Sequence, residues 1–208
     1  MDENSRYPIP AGKWRIEAPV SDSRFIATGG HTPTVEAAER FLARIRTEFA
    51  DATHNCFAWR IGYQRGVVER MSDDGEPSGT AGRPMLAVLQ GQDVGDVAVV
   101  VTRYFGGTKL GTGGLVRAYA GAVRTLMAAM PSTWHVERIS RQLVVDYPRY
   151  EQIVSRIAEY EGEIHDEAFA ADVTLVYTMP RDRIANFDAM LTDFSYGQLV
   201  STSPTNAL

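Results

Sequence analysis

Apolar positions along this chain recur every second residue in short runs and every third or fourth in longer ones, which separates strands from helices. Residues 14–18 and 24–28 read as extended, with the turn-forming Ser21, Asp22 and Ser23 between them. Thr32 is placed to cap a helix that starts at Pro33 and buries Val35, Ala38, Phe41, Leu42, Ile45 and Phe49. Residues 56–61 and 67–71 then read as two strands joined across Gly62 to Gly66. A breaker-rich loop over 73–82 leads into a short apolar helical stretch at 85–89 that stops at Gly91. The apolar run 97–102 predicts a buried strand. A long helix from about 112 to 130 follows, with Leu115, Val116, Tyr119, Val123, Leu126 and Met127 inward. The order β-β-α-β-β-α-β-α predicts an α+β fold, a sheet layered with helices.

Residues 131–138 are polar and contain proline, which suits a linker. Beyond them the pattern predicts a strand at 141–147, a helix opened by Pro148 with Ile153, Val154 and Ile157 inward, and a strand at 163–168. The alternation Val173, Leu175, Tyr177, Met179 marks a third strand. Pro180 then opens a helix with Ile184, Phe187, Leu191 and Phe194 on one side, and a last strand is expected at 197–202. That order, β-α-β-β-α-β, is the ferredoxin-like plan. Two domains are expected, 1–130 and 137–208.

Composition agrees with two packed units: 208 residues, 44% of them hydrophobic. No apolar stretch nears the roughly 20 residues of a membrane helix, and the polar first ten residues lack a signal-peptide layout. A cytoplasmic protein without membrane attachment is expected. Cys56 is the single cysteine, so no intramolecular disulfide can form. The net charge of −5 conceals an asymmetry, because residues 1–130 carry 15 Lys and Arg against 14 Asp and Glu, whereas 131–208 carry 6 against 12. Any acceptor of phosphate or RNA belongs in the first half, and the acidic second half suits a protein-interaction or stabilising module.

The densest candidate chemistry is the stretch 106–114, with five glycines in nine residues between a predicted strand and a predicted helix. Glycines let backbone N–H groups crowd round a small anion, so Gly113 and Gly114 at the helix start, with Thr112, Lys109, Arg103 and Arg117, form a candidate phosphate or nucleic-acid site. The plainer alternative is a tight turn with close helix–strand packing. No Gly-Lys-Ser or Gly-Lys-Thr triplet is present, so this is not a Walker loop. Asp73, Asp74 and Glu76 offer divalent-cation ligands or an acid and a base, against the preferred reading of turn formation and capping by Ser78 or Thr80. If that loop folds beside the glycines, its acids and Arg103 can pair and shape the site instead. Tyr104 with Phe105, and Tyr119, are candidate base-stacking residues or plain core. His54 and Cys56 are too few for zinc and lack the orienting third group that a Cys–His nucleophile needs. No metal site and no cofactor are expected.

Three segments, 72–86, 99–107 and 110–119, supported by Arg24-Phe25 and by His54 to Trp59, together resemble the signature of the IMPACT/YigZ family. The resemblance covers roughly residues 5–130, and the remainder resembles the ferredoxin-like second domain of bacterial members, similar to a C-terminal domain of elongation factor G. It implies an N-terminal α/β sandwich like the second domain of a small-subunit ribosomal protein, a fold also found in translation factors and small-molecule kinases. The serines of those kinases' phosphate loop are replaced here by glycines, which argues against kinase activity. Eukaryotic members act in translational control through an extra N-terminal domain that this sequence lacks, so their regulatory partner is not carried over.

The expected function is a non-enzymatic, translation-associated regulator that binds RNA, the ribosome or a phosphate-bearing partner through the basic glycine loop. The alternative is a small-molecule enzyme acting on a phosphorylated substrate, with the acidic loop as metal ligand or base. A third reading has the acidic C-terminal domain docking a basic protein partner.

Overall fold

The computed structural model describes residues 5–204; residues 1–4 and 205–208, the outer ends of the two expected domains, lie outside the described ones. Tyr7–His135 form one compact unit, and the chain on either side of that span forms the other.

In chain order the first unit contains β1 (Arg6–Pro10), β2 (Trp14–Val20), β3 (Ser23–His31), α1 (Val35–Glu48), β4 (His54–Tyr63) and β5 (Arg65–Ser72). It continues with α2 (Gly82–Gln90), β6 (Val97–Tyr104), α3 (Gly111–Ala129) and β7 (Ser132–Val136). Strands β2 to β6 make one antiparallel sheet in the order β2-β3-β6-β4-β5. Central β6 explains its own unbroken apolar run: Val97, Val99 and Val101 pack beneath α2 and α3, while Ala98 and Val100 pack on α1. Helices therefore cover both faces, as the expected sandwich requires. Because strand parity is strict, Cys56 and Ala58 of β4 join the α2–α3 side, and Phe57, Trp59 and Ile61 join the α1 side.

Several elements differ from expectation. The N-cap of α1 is Thr34, whose hydroxyl accepts from the Ala37 N–H, so the helix starts two residues after Pro33. Val116 on α3 is exposed, and Ala118 and Ala122 take inward positions beside Leu115 and Tyr119. Residues 132–136, expected within a linker, form β7, which pairs with the unforeseen β1 in a two-stranded sheet. Tyr7 of β1 stacks on Tyr63 and His135, with ring centroids 4.8 and 4.5 Å away, which fixes this ribbon to the unit.

The second unit contains β8 (Arg138–Val145), α4 (Tyr147–Glu159), β9 (Glu163–Phe169), β10 (Val173–Pro180) and α5 (Arg181–Ser195). Its sheet order is β8-β10-β9, and the expected last strand is reduced to one bridge between Thr202 and Gln142. That bridge places residue 202 outside β8, the fourth position of the ferredoxin-like plan. Asp146 caps α4, and Ile153, Ile157, Phe187 and Leu191 bury its helices on Leu175, Tyr177 and Met179. No described helix is long and apolar enough to cross a membrane.

Candidate anion-binding site

The site is built where β6 ends, on the α2–α3 side of the sheet. Register places Arg103 of β6 between Phe25 of β3 and His54 of β4, and all three share the face of Val97, Val99 and Val101. The loop between β5 and α2 closes over them. Its shape comes from its own acids. Asp73 accepts N–H bonds from Gly79 (2.8 Å), Ala81 (3.0 Å) and Gly82 (2.8 Å), so it caps α2 in place of Ser78 or Thr80. Burial raises the Asp73 pKa, but those three N–H groups outweigh it and hold the carboxyl below its ordinary value. Asp74, at a left-handed φ of 45°, accepts from the Asn55 N–H at 2.7 Å and from Arg46 at 2.5 Å.

Glu76 points inward and is almost wholly buried, as is Arg103. Arg103 Nη1 donates to Glu76 Oε1 at 2.7 Å, and the Tyr119 hydroxyl donates to the same oxygen at 2.7 Å. Thus Arg103 is neutralised within the protein and is not a free cation for a ligand. It carries a second function: its guanidinium lies 5.4 Å from the Phe25 ring centroid and 5.5 Å from that of Phe105. Its buried Nε has no acceptor among the described residues. His54 Nδ1 lies 2.8 Å from the Asp74 carbonyl oxygen, which can only accept, so Nδ1 carries the proton and Nε2 faces Glu76 Oε2 at 3.8 Å.

The Cys56 thiol, 3.0 Å from the Asp73 carbonyl oxygen and 3.3 Å from the Tyr119 hydroxyl, is pushed up to about 12 by burial and remains a thiol. Burial also raises the Tyr119 pKa. Tyr119 has no exposed face, so it meets the Phe25 ring edge to face inside the core and is not available to stack on a base. Tyr104 is half-buried; its hydroxyl donates to Asp51 at 2.7 Å and its ring carries the Arg24 guanidinium. Phe105, the next residue, is the exposed aromatic, at 46%.

The glycine loop is held by its neighbours. The Gly106 N–H donates to Ser23 Oγ at 3.3 Å, and a Cβ on Gly106 would fall 1.8 Å from the Asp22 carbonyl oxygen. Gly107 and Gly111 take φ of 96° and 69°, which bend the chain into α3. Helix α3 then begins with no side-chain cap, leaving its first N–H groups without the usual oxygen acceptor. Arg117 folds over that turn, with Nη1 3.7 Å from where a Gly113 Cβ would stand. Lys109 and Arg117 are exposed, and neither has an ion-pair partner among the described residues.

Two clefts meet at Lys109 and Leu110. One, of about 480 Å³, has apolar walls from Pro77, Phe105, Leu110 and Leu115. Its inner side is half-buried His54 with buried Glu76 and Arg103, and its exposed side includes Lys109, Gly111 and Thr112. The other, of about 430 Å³, takes in Lys109, Gly114 and Arg117 with Val20 and Ser21. Glu76 and Lys109 therefore share a cleft, whereas Asp73, Asp74 and Tyr104 line neither. Among the described residues no three His, Cys, Asp or Glu side chains gather to hold a metal ion. Sequence reasoning named Phe105 beside Tyr104 as a stacking candidate but missed His54 as a cleft residue; the parity of His54 with Cys56 and Ala58 is the signal that places it on this face.

Comparison with known proteins agrees with this architecture. The Impact N-terminal domain model matches residues 21–127, and a domain of unknown function, DUF1949, matches 143–198. IMPACT family member YigZ of Escherichia coli is 40% identical over 192 residues, 92% of this chain and 94% of that protein. An IMPACT family member of Haemophilus influenzae is 38% identical, over 94% of this chain and 96% of that one. A crystal structure described as that of a hypothetical protein is 37% identical and covers 97% of this chain and 98% of its own, with a TM-score of 0.66. With both domain matches in order and full-length relatives near 40% identity, this chain belongs to the IMPACT family.

Proposed function

We propose that this chain is a cytoplasmic, translation-associated regulatory protein whose first unit holds a phosphate-bearing partner, RNA free or within the ribosome, at the start of α3. The observation that carries this reading is an uncapped helix start flanked by two exposed, unpaired cations, Lys109 and Arg117. Open N–H groups and the helix dipole favour an anion there, and the two side chains supply most of the attraction. A role in translation rests on the family, whose eukaryotic members the resemblance associates with translational control. The acidic second unit is the part offered to a basic protein partner.

Arg103, first grouped with the binding cations, acts here through Glu76 as a rigid floor. Asp73 and Asp74 spend their oxygens on Gly79, Ala81, Gly82, Asn55 and Arg46, which removes the support for an acid–base or metal role of that loop. The test is RNA and ribosome binding as a function of salt. Lys109→Glu with Arg117→Glu is expected to abolish binding at physiological ionic strength while leaving the unfolding midpoint near that of the wild type. Undiminished binding by that variant would overturn the proposal.

A further inference from the structure

Resting on the phosphate reading above, we propose that the 480 Å³ cleft receives one base of a single-stranded nucleotide whose phosphate sits at the start of α3. Three observations converge. The cleft is of ligand size, and its apolar walls include Phe105, an aromatic ring left 46% exposed at the end of β6. A lone phosphate needs no such walls, whereas a flat heteroaromatic ring attached to a phosphate does.

The second observation is polar. Arg103 lines this cleft with its side chain only 6% exposed, and its guanidinium, paired with Glu76, is fixed 5.5 Å from the Phe105 ring centroid. A fixed guanidinium beside an exposed ring holds that ring in place for a stacked base. His54, on the same wall, has its Nδ1–H spent on the Asp74 carbonyl, which leaves Nε2 as the ring nitrogen open to a polar base edge.

Third, the phosphate elements and the cleft are continuous: Lys109, Gly111 and Thr112 line the same cleft as Phe105 and His54. A base in this position has left any stack with its neighbours. The ligand is therefore single-stranded, since a paired base would first have to be extruded at a cost.

The experiment is calorimetric titration of the full chain with pentauridylate and with a pentamer of abasic ribose phosphates of equal charge. Wild type is expected to bind the base-bearing oligomer about tenfold or more tightly, and Phe105→Ala, an exposed position, to close that gap. Equal binding of the two oligomers by wild type, or an undiminished preference in Phe105→Ala, overturns the base site and leaves the phosphate reading intact. Binding of neither oligomer overturns both. Uridine 5′-monophosphate as competitor separates the sources: displacement at concentrations similar to those of the pentamer supports a free nucleotide as ligand, and a requirement for a hundredfold more supports an RNA strand.

Discussion

Glu76 and Arg103 form an ion pair of 2.7 Å with side-chain exposures of 3% and 6%, and the Tyr119 hydroxyl shares the bridged oxygen. Taking two charges out of water is expensive, and their attraction repays the cost only while both are present. Arg103→Met is therefore expected to destabilise the first unit by about 3–5 kcal/mol, because Glu76 is left buried and unpaired. Adding Glu76→Met should recover much of that loss. Urea unfolding of the two single variants and the double variant measures the coupling, and additive losses would mean the charges do not depend on each other.

Burial that pushes the Cys56 thiol from 9.0 to about 12 predicts two behaviours. Native protein at pH 8 should resist alkylation by iodoacetamide and react only after unfolding, since the thiolate is the nucleophile. The folded state also keeps this proton where the unfolded state has lost it, so stability should fall as pH rises from about 9 towards 12. Tyr119, also raised by burial, acts in the same direction. Cys56→Ala should flatten part of that slope in thermal melts across this pH range.

Much of the fold was legible because its signals are local. The run 97–101 betrayed a strand covered on both faces, and the spacing of Ala38, Phe41, Leu42 and Ile45 betrayed the buried stripe of α1. The β1–β7 ribbon was not legible, because its pairing joins segments more than 120 residues apart and two prolines mask its first strand. At the site, the glycine loop ahead of a helix could be read from composition, whereas the absence of a side-chain cap at Leu110 could not. The fate of Arg103 could not be read that way, although its parity with Val97, Val99 and Val101 already places it beneath the α2–α3 layer. Only the folded loop reveals that Glu76 reaches it while Asp73 and Asp74 turn to the backbone.

Asp73 is the cap that Ala81 cannot be, since alanine at the start of α2 has no side-chain acceptor. Asp73→Ala is expected to cost about 2 kcal/mol, the upper range for a cap, because three N–H groups lose their partner together. With its folded pKa lowered from 3.8, this carboxyl contributes stability above that value that is lost as pH falls through the folded one. Acid unfolding of wild type should therefore be steeper than that of Asp73→Asn, a difference visible by circular dichroism between neutral and strongly acidic pH.

Gly106 has no room for a side chain, because a Cβ would overlap the Asp22 backbone at 1.8 Å. Gly106→Ala must push the loop away from Ser23 and release the Gly106 N–H bond. Lys109 and the start of α3 would move with it. Oligonucleotide affinity is expected to drop at least tenfold in this variant, with a smaller effect from Gly107→Ala, where the added Cβ meets open space and only the φ of 96° resists it.

Helices α2 and α3 carry three exposed arginines, Arg83, Arg117 and Arg124, and no carboxylate, in a chain with 26 Asp and Glu. Each cation that neutralises a phosphate of a single strand contributes about −0.7 to the slope of log affinity against log salt. Arg117→Ala should flatten that slope by about 0.7 for any oligomer, because the Arg117 guanidinium folds back over the first turn of α3. Arg124 lies seven residues, about 10 Å, further along the axis. It is out of reach of a dinucleotide held at the helix start but within reach of a longer strand, so Arg124→Ala should flatten the slope for a decamer and leave a dinucleotide unaffected. Equal effects on both lengths would mean that the ligand does not begin at the first turn of α3.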